Sequence, residues 1–326
     1  MDLELTEEQT WLTESIAQLV ARERAERLWH ALLEFGALDE ELGVVERALV
    51  AHGLGAGLAA VPYVDSAAAH YALGGVPAGV SAAVCLGEEG RSFAPTEPAT
   101  TLEHGRLAGE KTGVAYAASV DILAVSATAA DGLVVALLPP AVACIEAETS
   151  LDPSLELATV RLDGVEPATV GAADVVALSA VAGVLAVAES VGAAARILDL
   201  AREYAAQRRQ FGRTIGSFQA IGHLLANMHV KVESSWSSVL YAAASLDEDQ
   251  PDSLRTASIA KAFAARATHD VAHGALQVFG GIAFTAEHPA HRYLRRIVAR
   301  GGQFGTAREH ELSLGRGLAC ALEPVT

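Results

Sequence analysis

The chain has 326 residues, of which 51% are hydrophobic and 5% aromatic, enough apolar material for two or three packed domains. Lys and Arg number 23 against 40 Asp and Glu, and the net charge of -17 makes a nucleic-acid backbone a poor partner. The three cysteines, Cys85, Cys144 and Cys320, are odd in number and far apart, which excludes a disulfide framework or a cysteine metal knot.

In chain order, residues 5–34 read as one helix. Trp11, Leu12, Ile16, Leu19 and Val20 recur at helical spacings, and Thr6 with Gln9 forms a capping-box signature. Leu38–Ala51 reads as a second helix ending near Gly53 and Gly55, and a third element spans Val64–Leu73, before Gly74 and Gly75. From Ala82 the texture changes to short apolar runs: Ala82–Leu86, Val114–Ala118, Ile122–Ser126, Leu133–Leu138 and Leu157–Leu162. Turn pairs such as Asp131-Gly132, Pro139-Pro140 and Asp163-Gly164 separate them, which predicts a small antiparallel strand domain. Helical patterning returns at Asp174 and covers 178–209, 216–247, 251–280 and 288–301, with Pro251 opening the third of these. The expected architecture is an N-terminal helical domain (1–81), a reduced middle β domain (82–175) and a C-terminal four-helix domain (176–326). No basic, apolar leader is seen, and no run is read as reaching about 18 residues of membrane-grade hydrophobicity. The Ala-rich stretch from Ser179, interrupted by Glu189, reads as a buried helix, so the expectation is a cytoplasmic protein with no membrane role.

Two segments carry candidate binding chemistry. Gln207-Arg208-Arg209-Gln210-Phe211-Gly212-Arg213 places three arginines and a glycine where a long helix ends, a compact set of donors for phosphate oxygens. An ordinary basic helix C-terminus accounts for the same residues. Ala275–Phe284 carries Gln277 ahead of Gly280-Gly281, where glycine permits close backbone approach to a flat ligand. A glycine C-cap is the plain alternative. Seven histidines crowd the C-terminal region, with His269/His273 and His288/His291 as close pairs, but no cysteine or carboxylate pattern makes a metal motif of them. Arg292, Arg295, Arg296 and Arg300 form a basic stripe that suits a solvated helix face, a partner's carboxylates or a CoA phosphate.

The stretches SIAKAFAARATHDVAHGALQVFGG (Ser258–Gly281), FTAEHPAHRYLRR (Phe284–Arg296) and REYAAQRRQFGRTIGSFQAIGHLLANM (Arg202–Met228) together resemble the last domain of the acyl-CoA dehydrogenase family. The resemblance implies three domains of the kinds just outlined, and FAD held between subunits. It implies that Arg208 and Phe211 meet the pyrophosphate and adenine region of a neighbouring subunit's flavin. It likewise implies that Gln277, Gly280 and Gly281 line its adenosine side. Gln210 stands where the family often has Ser or Thr.

The family's reaction, α,β-desaturation of an acyl-CoA thioester, needs a glutamate near the substrate's α-carbon. By the same resemblance that glutamate falls on Phe304, within Gln303-Phe304-Gly305-Thr306, or on Ala182 in relatives that place it on the first long C-terminal helix. Neither side chain accepts a proton. The middle-domain motif is also eroded, its best match being Cys85-Leu86-Gly87-Glu88-Glu89-Gly90-Arg91-Ser92, and the strand usually carrying Trp offers Val114-Ala115-Tyr116. The resemblance therefore implies a non-catalytic subunit of a heteromeric α2β2 dehydrogenase of the actinobacterial steroid-CoA kind. It would complete the FAD site of a homologous catalytic partner, which holds the acyl-CoA. A self-sufficient enzyme using Glu189 or Glu88, and a scaffold without flavin, are the alternatives.

Overall fold

The structure, a computed structural model, describes residues 4–73, 76–90, 93, 95–171 and 174–322, with side chains to residue 318. Gly74, Gly75, Arg91, Ser92 and the Cys320 side chain lie outside the described residues.

The expected 5–34 helix is two, α1 (Glu7–Arg22) and α2 (Ala25–Glu34), broken where Glu23 and Arg24 are extended. The break has a reason in the sequence. At about 100° per residue, a continuous helix would turn Leu28 and Leu32 to the side opposite Leu12, Ile16 and Leu19. All five are buried, so the chain resets its phase between them. The Thr6–Gln9 capping box forms as expected.

Helix α3 (Val44–Ala56) starts six residues later than the periodicity implies. The Asp247 carboxylate accepts hydrogen bonds from Val44 N (2.7 Å) and Val45 N (3.0 Å), a cap supplied from some 200 residues away. Helix α4 (Tyr63–Ala72) follows.

The strands are β1 (Ala82–Cys85), β2 (Thr101–Glu103), β3 (Arg106–Ala115), β4 (Ile122–Ala129), β5 (Gly132–Leu138), β6 (Cys144–Ala147), β7 (Leu157–Val165) and β8 (Thr169–Gly171). They make one sheet in the order β6-β7-β3-β2-β4-β5-β8, with β1 also on β4. The expected antiparallel sheet is mixed: β1 and β2 both run parallel to β4. Tyr116, expected as a packed strand residue, is buried in a left-handed turn just after β3, its hydroxyl donating to Ser154 O (2.9 Å).

Helix α5 (Val175–Gln207) is the central element. Contrary to the sequence expectation, it is long and apolar enough to cross a bilayer, but its apolar window is 83% buried within the protein. A helix apolar all round needs neighbours all round, and α5 has them in α3, α4, α6 (Gln219–Asp247), α7 (Ser253–Phe279) and α8 (Ala290–Gly302). Two backbone crossings seat α3 on α5: a Cβ at Gly55 would overlap the Glu189 carbonyl oxygen, and one at Gly192 would overlap that of His52. Between α5 and α6 lies a hairpin of β9 (Arg209–Gln210) and β10 (Arg213–Thr214).

The bundle has a fifth helix beyond the expected four, α9 (Ala307–Leu322). Its signal was in the chain: Thr306 and Glu309 form a reciprocal cap, with Thr306 N donating to Glu309 Oε2 (2.8 Å) and Glu309 N to the Thr306 hydroxyl (3.3 Å).

Candidate functional site

The two motifs arrive at one end of the bundle. Tyr204, in the last turn of α5, packs edge-on against Phe279 at the end of α7 with ring centroids 5.5 Å apart. Arg208 is the C-cap of α5, its N–H donating to Tyr204 O and its carbonyl accepting from Ile215 N (2.8 Å). Its side chain is exposed. Phe211 and Gly212 have φ of +52° and +79°, as a tight two-residue hairpin turn requires. A phenylalanine in the left-handed region is strained, and Phe211 is also 91% exposed. It is braced edge-on by Phe218 at 6.2 Å, over which the Arg213 guanidinium lies at 3.9 Å.

Gln277 is exposed on the last turn of α7. Gly280 ends that helix at φ +66°, and nothing lies within 4 Å of where a Cβ would stand on Gly280 or Gly281. Ile282 and Phe284 beyond are exposed too, Phe284 by 78%. Charged forks, a free amide, open glycine backbone and uncovered aromatic rings therefore share one end of the molecule. That set suits a nucleotide: donors for phosphates and flat surfaces for a base.

The chain's own cleft is of another kind. Its volume is about 310 Å³, and its walls include Asp65, Glu88, Glu97, Phe304 and Glu309. Phe304 sits in the α8–α9 turn at φ +54°, nearly buried, with its carbonyl accepting from His310 Nε2 at 2.9 Å. A Cβ at Gly183 would meet Phe304 Cβ at 3.9 Å. Phe304 lines the cleft and packs beside α5 at Gly183, next in the chain to Ala182, and both residues to which the resemblance assigns a base carry hydrocarbon side chains.

Three of the carboxylates nearby, Glu88, Glu309 and Glu189, are committed elsewhere. Glu88 accepts from Lys111 Nζ (2.7 Å), Ala99 N, Thr100 N and the Thr100 hydroxyl. Partial burial works to raise its pKa, but these donors hold it at about 2. Glu309 caps α9 and also accepts from Phe93 N (2.7 Å). Glu189, the alternative base, is buried in a cluster of ions. Its oxygens meet Arg296 Nη1 at 2.6 Å and Arg300 Nη2 at 3.0 Å. Arg296 also meets Asp152 (2.6 Å), Ala59 O and the Ser154 hydroxyl, so the cluster ties α5 and α8 to the sheet domain and the N-terminal helices. Of the basic stripe, which the sequence leaves open to a solvated face, a partner's carboxylates or a CoA phosphate, Arg292 and Arg295 are exposed while Arg296 and Arg300 are inside, paired within the chain. Burial opposes the charge on Arg296, but Glu189, Tyr116 and Asp152 outweigh it and raise its pKa. Asp65, at the edge of this cluster, is pushed up to about 6 by burial, with Arg300 3.9 Å away offsetting part of that.

Lys261 supports the Phe304 turn from below. It is fully buried, and Nζ donates to Arg300 O (3.2 Å) and Gly301 O (2.9 Å) at the end of α8. Burial, reinforced by Arg300, lowers its pKa to about 7. The unfolded lysine holds its proton up to about 10.4, so between pH 7 and 10 the unfolded state binds more protons and folding stability from this group rises with pH. Lys261→Met is expected to remove that rise. Denaturant titrations at pH 7 and 9 should show the wild type gaining about 2 kcal/mol relative to the variant; an unchanged difference would place the amine's titration elsewhere.

An N-terminal helical bundle, a central mixed sheet and a C-terminal helix bundle in this order make the fold of the flavin-dependent acyl-CoA dehydrogenase class. The sequence comparisons agree: residues 180–313 match the acyl-CoA dehydrogenase C-terminal domain. The chain is 34% identical to acyl-CoA dehydrogenase FadE27 of Mycobacterium tuberculosis over 336 aligned positions, covering 90% of this chain and 88% of that protein. The chain belongs to the acyl-CoA dehydrogenase family. Among solved structures it is similar to a chain of the ChsE4–ChsE5 complex from Mycobacterium tuberculosis, with a TM-score of 0.85 and 28% identity over 98% of this chain and 99% of that one. It is similar also to a Tcur3481–Tcur3483 steroid ACAD variant, with a TM-score of 0.85 and 25% identity over 97% and 98%. The FAD complex of PigA shares the fold at 20% identity, with a TM-score of 0.85 over 98% and 100%.

Proposed function

We propose that this chain is the non-catalytic subunit of a heteromeric, α2β2 acyl-CoA dehydrogenase, and that it completes an FAD site in a homologous partner. The observation that supports this is that Arg208, Phe211, Gln277 and Gly281 are exposed, and Gly280 half-buried, at one end of the bundle while positions 304 and 182 carry hydrocarbon side chains. Arg208 supplies the pyrophosphate with a guanidinium, Phe211 covers the adenine region, Gln277 bonds the adenosine side, and Gly280 and Gly281 let it approach the backbone. When bound, the flavin supplies the hydride-accepting chemistry; the partner supplies the glutamate that takes the α-proton and the pocket for the thioester. Acidic walls and a volume of about 310 Å³ suit this chain's own cleft poorly to a pyrophosphate or a CoA thioester. Likeness to the steroid ACAD supports a bulky, steroid-type acyl group as the substrate of the complex.

The test is copurification with the homologous partner, read by flavin absorbance. The complex should carry flavin and desaturate acyl-CoA, while the lone chain does neither. Arg208→Ala should weaken flavin retention by the complex roughly tenfold or more, the cost of a charge-assisted hydrogen bond. A lone chain that holds FAD and turns over substrate would sink the split-site assignment.

A further inference from the structure

On the outer face of α7, one turn apart, His269 and His273 hold their rings with centroids 4.4 Å apart and Nε2 atoms 3.2 Å apart. Both side chains are exposed. The charged neighbours are turned to other partners: Asp270 to Lys231 on α6, and Arg266 to Glu311 on α9 through two hydrogen bonds. Residues four apart share a helix face, the spacing by which paired histidines grip one ion in helical metal sites. The separation fits as well. With metal–nitrogen bonds of about 2.0–2.1 Å, two nitrogens 3.2 Å apart subtend roughly 100° at a shared ion, between the octahedral and tetrahedral values. We propose that His269 and His273 form a two-imidazole chelate for a late first-row divalent cation, Zn²⁺, Ni²⁺ or Cu²⁺, with water in the remaining positions.

In the sequence His269 and His273 are a close pair and no more, because metal motifs are recognised by three or four ligands with cysteine or carboxylate among them. A two-ligand chelate is visible only when the rings are seen to converge. Without metal, the same separation is kept by an N–H of one ring donating to the other ring's lone pair. An ion takes the place of that proton, which the donor ring then carries on Nδ1, so both neutral imidazoles present an Nε2 lone pair to the metal.

The test uses the full chain without a histidine tag, titrated with Zn²⁺ against a chromogenic chelator and with Cu²⁺ by electron paramagnetic resonance. Wild type should bind one equivalent more tightly than the rest, with two nitrogen donors in the Cu²⁺ spectrum. His269→Ala and His273→Ala should each weaken that equivalent at least roughly tenfold, because one imidazole does not chelate. His229→Ala, which removes an exposed imidazole near Glu233 on α6, should leave it unchanged. All three side chains are exposed, so circular dichroism should report an intact fold throughout. Equal binding by the double variant His269→Ala/His273→Ala, or a wild type with no distinguishable tight equivalent, overturns the assignment.

Discussion

Glu189→Gln should destabilise the protein by about 3–5 kcal/mol, the range found when one partner of a buried ion pair is removed. The carboxylate stands between two guanidiniums that are each 1% exposed, with contacts of 2.6 and 3.0 Å. A neutral amide in its place leaves Arg296 with Asp152 and leaves Arg300 with the Asp65 carboxyl 3.9 Å away, whose pKa burial raises to about 6. Neither buried cation can move to water, because α5 and α8 enclose both. Denaturant unfolding should therefore show a large fall in midpoint. Glu203→Gln is the matched control: its contact with Arg196 is 3.7 Å long with both side chains largely exposed, and it should cost under about 0.5 kcal/mol. Similar losses for the two variants would mean that the cluster is solvated and would reopen Glu189 as a free carboxylate.

Gly192→Ala should cost about 3 kcal/mol or more, at the upper end of overpacking effects. The methyl group would land on the His52 carbonyl oxygen, which is backbone and cannot rotate away. Relief requires α3 to lift off α5, and the same crossing holds Gly55 against the Glu189 carbonyl. The damage should therefore spread to the ion cluster, so Gly192→Ala and Glu189→Gln should combine non-additively. Gly302→Ala is the control, since nothing lies within 4 Å of a Cβ there and its φ is ordinary. A Gly192→Ala protein with wild-type stability would show that the two helices sit further apart than described.

Both effects bear on the proposed binding face through geometry alone. The cluster and the glycine crossings set α5 against the rest, and α5 ends in the Arg208 hairpin. A rigid α5 fixes the base of the hairpin, and Phe218 braces the exposed Phe211 from the side.

Much of this was legible in the chain. The helix–strand–helix order, the long α5, α6 and α7, and the Thr6 cap follow from periodicity and capping residues, whose physics spans only a few positions. The hydrocarbon residues at 182 and 304 were legible from the resemblance, because they are identities and need no geometry. The break after Arg22 and the cap of α9 were written there too, in the phase of Leu28 and Leu32 and in Thr306 with Glu309. Other features were decided only by the tertiary structure. Arg296 and Arg300 look like surface residues until Glu189 and Asp152, 107 and 144 positions away from Arg296, close around them. Helix α3 begins where Asp247 of another helix caps it, and β1 pairs with β4 in parallel. A charge is stable inside only beside its counter-charge, and which residues become neighbours across such separations is settled by packing the whole chain, not by any local pattern.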